Sequence, residues 1–136
     1  MHYNLKVRHY GSRKKLGKKL LRIIDDVTKK TEKNTICNIN LVFNYGSRDE
    51  IIESIKKMHP KKINKNNFVN NLYTYKSSDP DLIIRTGGQY RLSNFMLWQS
   101  AYSELYFTKK LWPDFNISDL QKILINYRKR QRNYGK

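Results

Sequence analysis

The sequence predicts an α/β fold in which helices flank a mainly parallel β-sheet. Three observations favour it. Short β-branched runs alternate with segments whose apolar residues recur at helical spacing, which is typical of βαβ units. Two of these runs end in glycine-containing loops, "NYGSR" and "RTGGQYR". The chain has 136 residues, enough to bury a core and too few for several domains. We therefore expect a single domain over residues 1–136.

The first half of the chain predicts two strands and two helices. Leu5 to Tyr10 alternates and meets Gly11, which indicates a strand and a turn. A helix is expected to begin at Ser12 as N-cap and to carry the apolar face Leu16, Leu20, Ile23, Ile24 and Val27. Residues 35–43 predict the second strand. A second helix is expected to open at Ser47 or Asp49 and to continue through Met58 until Pro60 stops it.

The second half predicts two more strands and a closing helix. The polar stretch from residue 61 to 79 is expected to be a loop with a short helix near residues 68–72, and the strands are 82–84 and 104–107. The helix spans Asn116 to Gln131, capped by Asn116 or Ser118, with Ile117, Leu120, Leu124 and Tyr127 on its inward face. Ligands of such sheets bind beyond the carboxyl ends of the strands, so we expect "NYGSR" and "RTGGQYR" to lie on one edge.

The formal net charge of +17 is compatible with a nucleic-acid-binding domain. The lysines are dispersed along the chain, however, and no nucleic-acid-binding signature is present, so no nucleic-acid partner is expected. Neither a secretory signal nor an apolar run of roughly 18 residues is found. Cys37, the single cysteine, is expected to be a buried thiol. We expect a cytoplasmic protein without a transmembrane segment.

The loop after the third strand combines the features of an anion site. Arg85 and Arg91 supply fork-shaped donors for phosphate oxygens, and Ser93 adds a hydroxyl. Gly87 and Gly88 can adopt positive φ and bring backbone N–H groups close to a ligand. Ser93 or Asn94 could also cap a short helix over residues 95–98, whose dipole would face the same anion. The alternative is a tight turn with two surface arginines.

Glu104 is the one carboxylate within the apolar and aromatic segment "AYSELYF". A carboxylate in such surroundings needs a cation or a hydrogen-bonding partner. Mg²⁺ is suitable, because it is typically held by one or two carboxylates together with phosphate oxygens and water. An ion pair with Arg85 or Arg91 is the competing interpretation, as is simple exposure to solvent.

The segment "DLIIRTGGQYRLSNFMLWQSAYSELYFTKKLWPDF" closely resembles the C-terminal signature of the cis-prenyltransferases, the undecaprenyl diphosphate synthase family. The segments "VRHYG", "NLVFNYGSRDEI" and "RKRQRNYGK" are similar to the family's other blocks and occur in the same order. The resemblance implies the C-terminal portion of the family's fold. It also implies condensation of isopentenyl diphosphate with an allylic prenyl diphosphate, in the presence of Mg²⁺, to give a Z-polyprenyl diphosphate.

The resemblance also implies residue roles. By motif position, the isopentenyl diphosphate is bound by Arg85, Arg91, Leu92 and Ser93, in the loop that contains Gly87 and Gly88. Glu104 matches the family's magnesium-binding glutamate. The strand before "NYGSR" is assigned to the wall of the tunnel that holds the growing prenyl chain, through Ile39, Leu41 and Phe43. The membrane is expected to be contacted only peripherally, through the product.

The chain departs from the family pattern at three places. The family's "DGNGRW"-like loop, with its catalytic aspartate and its allylic diphosphate site, has no counterpart here, so no catalytic residue is assigned. The C-terminal Arg-x-Gly motif reads Asn133-Tyr134-Gly135, and the glutamate that usually follows "RTGG" is Gln89. We expect an incomplete domain that is inactive alone. Either it is the C-terminal part of an interrupted or truncated gene, or it acts as a homodimer or with a chain that supplies the N-terminal half. A non-catalytic partner subunit and a nucleic-acid-binding domain are the alternatives.

Overall fold

The computed structural model describes residues 3–130 of the chain. It divides the chain into two compact units, Met1–Lys76 and Ser77–Lys136. The elements are β1 (Leu5–Tyr10), α1 (Lys18–Lys30), β2 (Cys37–Val42), α2 (Ser47–Lys56), α3 (Lys65–Asn71), β3 (Leu82–Arg85), β4 (Glu104–Phe107) and α4 (Ile117–Arg128). Two short 3₁₀ helices are formed by Pro60–Lys62 and Trp112–Asp114.

In the first unit, β1 and β2 form a parallel pair on which α1 packs. The register runs from Leu5 opposite Cys37 to Tyr10 opposite Val42. Both strands were expected, but α1 begins at Lys18, after Gly17, and the predicted cap at Ser12 is wrong. The Ser12 N–H donates to the Asn44 carbonyl at 2.9 Å, so at Ser12 the loop after β1 is bonded to the loop after β2.

The backbone of the loop after β1 comes close to the backbone of Phe43 at Gly11. Gly11 has φ +139°, and a Cβ placed there would lie 2.1 Å from the carbonyl oxygen of Phe43. Asn44 holds the two loops together, because its side-chain amide donates to the Ser12 carbonyl at 2.7 Å and to the Lys14 carbonyl at 3.0 Å. The loops that follow β1 and β2 are therefore joined by hydrogen bonds next to the "VRHYG" and "NYGSR" segments.

A buried carboxylate ties α2 to the segment that follows α3. Glu50, 1% exposed, accepts hydrogen bonds from the Tyr45 hydroxyl at 2.6 Å and from the Tyr73 N–H at 2.8 Å. Burial raises the pKa of the Tyr73 phenol, and the nearby charges of Glu53 and Glu50 act in the same direction. Glu50 is thus bonded on both oxygens, as a buried carboxylate requires.

Two expectations for the first unit are wrong and a third is confirmed. Helix α2 ends at Lys56, before Met58, and Pro60 opens a 3₁₀ helix that is capped by the His59 ring. The short helix expected near residue 68 forms as α3. Cys37 is exposed, not buried. The reason is that β2 pairs only with β1 within the described residues, which leaves the beginning of β2 uncovered.

The second unit is organised around the parallel pair β3 and β4, in register from Leu82 opposite Glu104 to Arg85 opposite Phe107. The helix expected over residues 95–98 does not form. Ser93, Asn94 and Met96 have φ of +48°, +63° and +47°, and left-handed residues cannot continue a right-handed helix. Turns therefore replace the predicted helix dipole.

Helix α4 closes the second unit. Asn116 and Asp119 form a capping box, as the sequence predicts for Asn116. The Lys110 ammonium lies 2.7 Å from the Asp119 carboxylate; its hydrogen bond and that from the Asn116 N–H lower the pKa of Asp119. The predicted inward face is rotated: Ile123 is 3% exposed, whereas Ile117, Leu120 and Leu124 are exposed.

The predicted fold class is confirmed: parallel strand pairs flanked by four helices form an α/β fold. No helix within residues 3–130 is both long and apolar enough to cross a membrane. The common edge for "NYGSR" and "RTGGQYR", and the organisation of residues 1–136 as one incomplete domain, stay predictions.

Candidate functional site

Strand β3 delivers Arg85 to its carboxyl end, where the glycine loop begins. The Arg85 carbonyl accepts a hydrogen bond from the Thr108 N–H at 2.9 Å, which extends the β3–β4 ladder by one step. The backbone under Arg85 is therefore held in place by the sheet. Sheet-anchored side chains of this kind are placed more accurately than loop side chains.

The structure brings together the three residues predicted to bind an anion. The Ser93 hydroxyl oxygen accepts hydrogen bonds from Arg85 Nη1 at 3.0 Å and from Arg91 Nε at 3.2 Å. Arg85 Nη1 also donates to the backbone carbonyl of Arg91. Two guanidinium groups thus converge on one hydroxyl at the end of a strand.

Neither guanidinium forms an ion pair with a carboxylate of residues 3–130. The other contact of Arg91 is with a neutral amide, because Arg91 Nη1 donates to Gln89 Oε1 at 2.6 Å. Two adjacent positive charges without a counter-charge repel each other and attract an anion. Planar guanidinium forks match the oxygens of a diphosphate, so this cluster has the chemistry of a diphosphate site.

The glycines serve the loop rather than a ligand. Gly87 and Gly88 have φ of +88° and +71°, as expected for glycine-dependent turns. Their N–H groups donate to the carbonyls of Lys110 at 2.7 Å and Thr108 at 2.9 Å. The expectation that these N–H groups face a ligand does not match this geometry. The glycines instead fold the loop back onto the segment after β4.

Replacing Gln89 with glutamate is expected to weaken diphosphate binding. The new carboxylate would pair with Arg91 and compete with the anion, and an exposed pair of this kind predicts a loss of about 2- to 5-fold. Isothermal titration calorimetry with isopentenyl diphosphate at low ionic strength measures the loss. Gln121→Glu on α4 makes the same charge change outside the loop, and an equal effect of both variants would contradict a local role for Gln89.

Glu104 begins β4, as the sequence predicts, and lies at the end of the ladder away from Arg85. Its carboxylate pairs with Arg130 Nη1 at 2.5 Å, and not with Arg85 or Arg91, the pairing that was the competing interpretation. Glu104 begins β4 opposite Leu82, whereas Arg85 ends β3. Three residues of strand separate these levels, about 10 Å along the ladder. The reason is the parallel register, which places a strand's first residue and its neighbour's last residue at opposite ends.

The magnesium site proposed for Glu104 therefore stays a prediction. A single carboxylate is chemically suitable for Mg²⁺ when phosphate oxygens complete the coordination. The Glu104 carboxylate is instead occupied by Arg130 and lies at the end of the ladder away from Arg85. No cluster of three or more metal-ligating side chains occurs in the part of the chain that the structure describes.

The residues assigned to the prenyl tunnel lie in the first unit. An apolar cavity of about 140 Å³ separates α1 from the β1–β2 pair, and Leu41 and Phe43 contribute to its wall. Ile39 does not line this cavity and is 38% exposed. The α1 side of the cavity is formed by Leu20, Ile23, Ile24 and Val27, the face that the sequence predicts to be apolar.

Several participants were not predicted. Gln89 was noted only as a departure from the family, but it is a hydrogen-bonding partner of Arg91. Arg130 belongs to the basic run "RKRQR", in which sequence gives no reason to single out one arginine. Phe95 was assigned to a helix, but it lines a cavity beside Arg85. Asn133-Tyr134-Gly135 lies outside the described residues.

The fold and the cationic loop define the class first: an α/β protein with two arginines clustered at the carboxyl end of a parallel strand, where an anion could bind. The family model for undecaprenyl diphosphate synthases matches residues 1–135. Isoprenyl transferases of Treponema denticola and Thermotoga maritima are each 44% identical, over 97% and 96% of this chain. The chain belongs to the undecaprenyl diphosphate synthase family, also called isoprenyl transferases.

Solved structures show the same relationship. A probable undecaprenyl diphosphate synthase from Campylobacter jejuni superposes with a TM-score of 0.89 at 37% identity, over 98% of this chain and 64% of that chain. Lavandulyl diphosphate synthase from Lavandula x intermedia, solved with dimethylallyl diphosphate, gives 0.92 at 33% identity, over 99% and 62%. The chain spans about 60% of the Treponema and Thermotoga relatives.

Proposed function

We propose that this chain carries the isopentenyl-diphosphate half-site of a cis-prenyltransferase. The half-site is the set Arg85, Arg91, Leu92 and Ser93. The observation that carries the proposal is the convergence of both arginines on the Ser93 hydroxyl without a carboxylate partner among residues 3–130. Membership of the family supports isopentenyl diphosphate as the anion.

In this function the residues of the chain bind and orient the isopentenyl substrate. The two guanidinium groups hold the diphosphate of the isopentenyl substrate, so its double bond is presented in one direction to the allylic carbon that it attacks. The positive charge of Arg85 and Arg91 also stabilises the anionic groups that crowd together when the allylic diphosphate leaves. We propose that Leu41, Phe43 and the neighbouring Ile39 shield the growing prenyl chain from water.

We propose Mg²⁺ as the cofactor and Glu104 as its ligand, because members of the family typically depend on Mg²⁺. When bound, the metal supplies charge neutralisation at the diphosphate oxygens. Glu104 must give up its ion pair with Arg130 before it can bind the metal. Because Glu104 and Arg85 lie at opposite ends of the ladder, we assign no step to the metal within one copy of this unit.

The allylic half of the reaction needs residues other than those proposed above. We propose a homodimer or a chain that supplies the N-terminal half, with its aspartate and allylic site, as the working assembly. We propose the cytoplasm as the compartment, with the membrane contacted only through the polyprenyl product. The alternative is a non-catalytic partner subunit, which would bind the complementing chain without contributing Arg85 to turnover.

Reconstitution tests the proposal. The purified chain is mixed with farnesyl diphosphate, radiolabelled isopentenyl diphosphate and Mg²⁺, with and without a polypeptide corresponding to the N-terminal 40% of an isoprenyl transferase. We expect polyprenyl product only from the mixture, and loss of product when the chain carries Arg85→Ala. Robust synthesis by the chain alone would contradict the half-site. Product that is insensitive to Arg85→Ala would favour the partner-subunit alternative.

A further inference from the structure

A groove with a volume of about 360 Å³ runs along β1 in the first unit. Its walls are β1, one side of α1 and the segment of residues 73–76. Cationic side chains, carboxylates and tyrosine rings share its lining. Sites for small molecules are typically clefts of about 300–1,000 Å³, so the size of the groove is suitable. None of the residues proposed for prenyl transfer belongs to this lining.

The outer edge of β1 is closed to a further strand over its first half. The Val7 N–H donates to the Thr31 hydroxyl oxygen at 3.0 Å, and the Leu5 carbonyl accepts from the Asn34 side-chain amide at 2.7 Å. A peptide that extended the sheet would need these backbone groups for itself. The groove therefore offers side chains rather than a free strand edge, and it suits a small molecule better than an extended peptide.

Part of the positive charge of the groove has no carboxylate beside it. Arg13 is paired with Asp25 at 2.8 Å. By contrast, Lys6, Arg8 and Lys76 form no ion pair with any carboxylate of residues 3–130. The Arg8 guanidinium donates to the Lys76 carbonyl at 3.3 Å, which places these two residues side by side. A guanidinium fork next to an ammonium has the chemistry of a phosphate site.

An aromatic ring and a carboxylate share the groove with these cations. Tyr75 is 52% exposed, and the Lys76 ammonium lies 5.3 Å from the centre of its ring. An exposed tyrosine face is a stacking surface for a nucleobase. Glu32 is also part of the lining and forms no ion pair with a cation of residues 3–130. A carboxylate of this kind accepts hydrogen bonds from ribose hydroxyls.

We propose that this groove binds a nucleoside monophosphate. Arg8 and Lys76 hold the phosphate, Glu32 accepts hydrogen bonds from the ribose, and the base stacks on Tyr75. Inorganic phosphate would use only the cations, and a sugar phosphate would leave the tyrosine ring without a partner. This site is independent of the isopentenyl-diphosphate half-site, so it does not rest on the proposed function.

Isothermal titration calorimetry of the whole chain with AMP, GMP, CMP and UMP tests the proposal. Ribose 5-phosphate and inorganic phosphate are titrated as truncated ligands. We expect at least one nucleotide to bind about 5-fold or more tightly than ribose 5-phosphate, because only the nucleotide can stack on Tyr75. Tyr75→Ala should remove this difference. Tyr3→Ala is the matched control and should preserve it, since Tyr3 is exposed in the same unit but lies outside the groove.

Variants of the charged side chains locate the phosphate and the ribose. Arg8→Ala is expected to weaken nucleotide binding about 10-fold, and Lys76→Ala about 3- to 10-fold. Glu32→Gln, a nearly isosteric change at an exposed position, should weaken it about 3-fold. Arg22→Ala is the control, because Arg22 is exposed on α1 and does not line the groove. Its effect should stay below about 2-fold at 0.15 M salt, and circular dichroism confirms that each variant is folded.

The Arg85→Ala variant separates the groove from the diphosphate loop. Nucleotide binding should persist in Arg85→Ala. Binding that is lost in Arg85→Ala but kept in Arg8→Ala would place the nucleotide at the loop and overturn the proposal. Equal losses in Arg8→Ala and Arg22→Ala would also overturn it, because net charge would then explain the binding. So would equal affinities for the nucleotides and inorganic phosphate, or no binding of any of the four nucleotides to the folded chain.

Discussion

Replacing Arg85 with alanine is expected to weaken isopentenyl diphosphate binding about 100-fold, or ~2.7 kcal/mol. The variant loses a guanidinium that is held at the end of β3 and shares the Ser93 hydroxyl with Arg91. Arg85→Lys should retain the charge but lose the fork, which places its loss near about 10-fold. Isothermal titration calorimetry on the whole chain measures both.

The control for Arg85 is a second arginine of the same unit. Arg128 lies in the last turn of α4, is exposed, and is outside the loop. Arg128→Ala removes the same formal charge, so it isolates the effect of net charge on binding. We expect it to change the affinity less than about 2-fold at 0.15 M salt, because exposed charges are screened over a Debye length of about 8 Å. Equal losses in Arg85→Ala and Arg128→Ala would show that the anion site is misplaced.

The variants Arg85→Ala and Arg128→Ala also distinguish diphosphate binding from nucleic-acid binding, the other interpretation of the positive charge. A nucleic-acid-binding domain predicts steeply salt-dependent binding of DNA or RNA that tolerates Arg85→Ala. Diphosphate binding at the loop instead depends on Arg85 far more than on Arg128. Comparing the two variants with both classes of ligand therefore assigns the charge of the chain to a function.

Replacing Gly11 with alanine is expected to destabilise the first unit by about 3 kcal/mol or more, near the upper range for point substitutions. A Cβ at Gly11 would meet the Phe43 carbonyl oxygen at 2.1 Å, and the backbone has φ +139°. Relief requires β1 and β2 to move apart, which breaks the Ser12 to Asn44 hydrogen bond. Thermal unfolding followed by circular dichroism should show a midpoint lowered by about 10 °C.

Gly17→Ala is the matched control for this substitution. A Cβ at Gly17 would have no heavy atom within 4 Å, and the residue has φ −64°, a value open to all residues. The stability should change by less than about 1 kcal/mol, since only the N-cap preference of α1 is affected. Similar thermal unfolding midpoints for the two alanine variants would contradict the close contact between Gly11 and Phe43.

Much of the fold could be predicted because its strands and helices follow local patterns. Strand β1 has the predicted bounds, β4 likewise, and the cap of α4 at Asn116 was predicted from residue type. The failures occur where contacts distant in sequence compete with local preference. Ser12 is a good N-cap residue, but its carbonyl, which an N-cap offers to the first turn of a helix, accepts from the side-chain amide of Asn44, 32 positions away, so the helix begins later.

The site follows the same division. The cationic character of the loop could be predicted from its composition. The convergence of Arg85 and Arg91 on Ser93 could also be predicted, because the three residues lie close together in one short loop. The direction of the glycine N–H groups was not predictable, because it depends on the carbonyls of Thr108 and Lys110. Nor was the partner of Glu104, because several basic residues in the C-terminal run were chemically equivalent candidates.

The sequence by itself determined the α/β class and the family, and it supplied the proposal that Arg85 and Arg91 bind a diphosphate. These depend on periodicity and on a long motif, both of which are readable along the chain. The tertiary structure alone decided that Glu104 and Arg85 lie at opposite ends of the β3–β4 ladder and that Leu92 and Phe95 line a cavity beside Arg85. The physical reason is that parallel register and left-handed turns place side chains by backbone geometry, which residue type constrains only weakly.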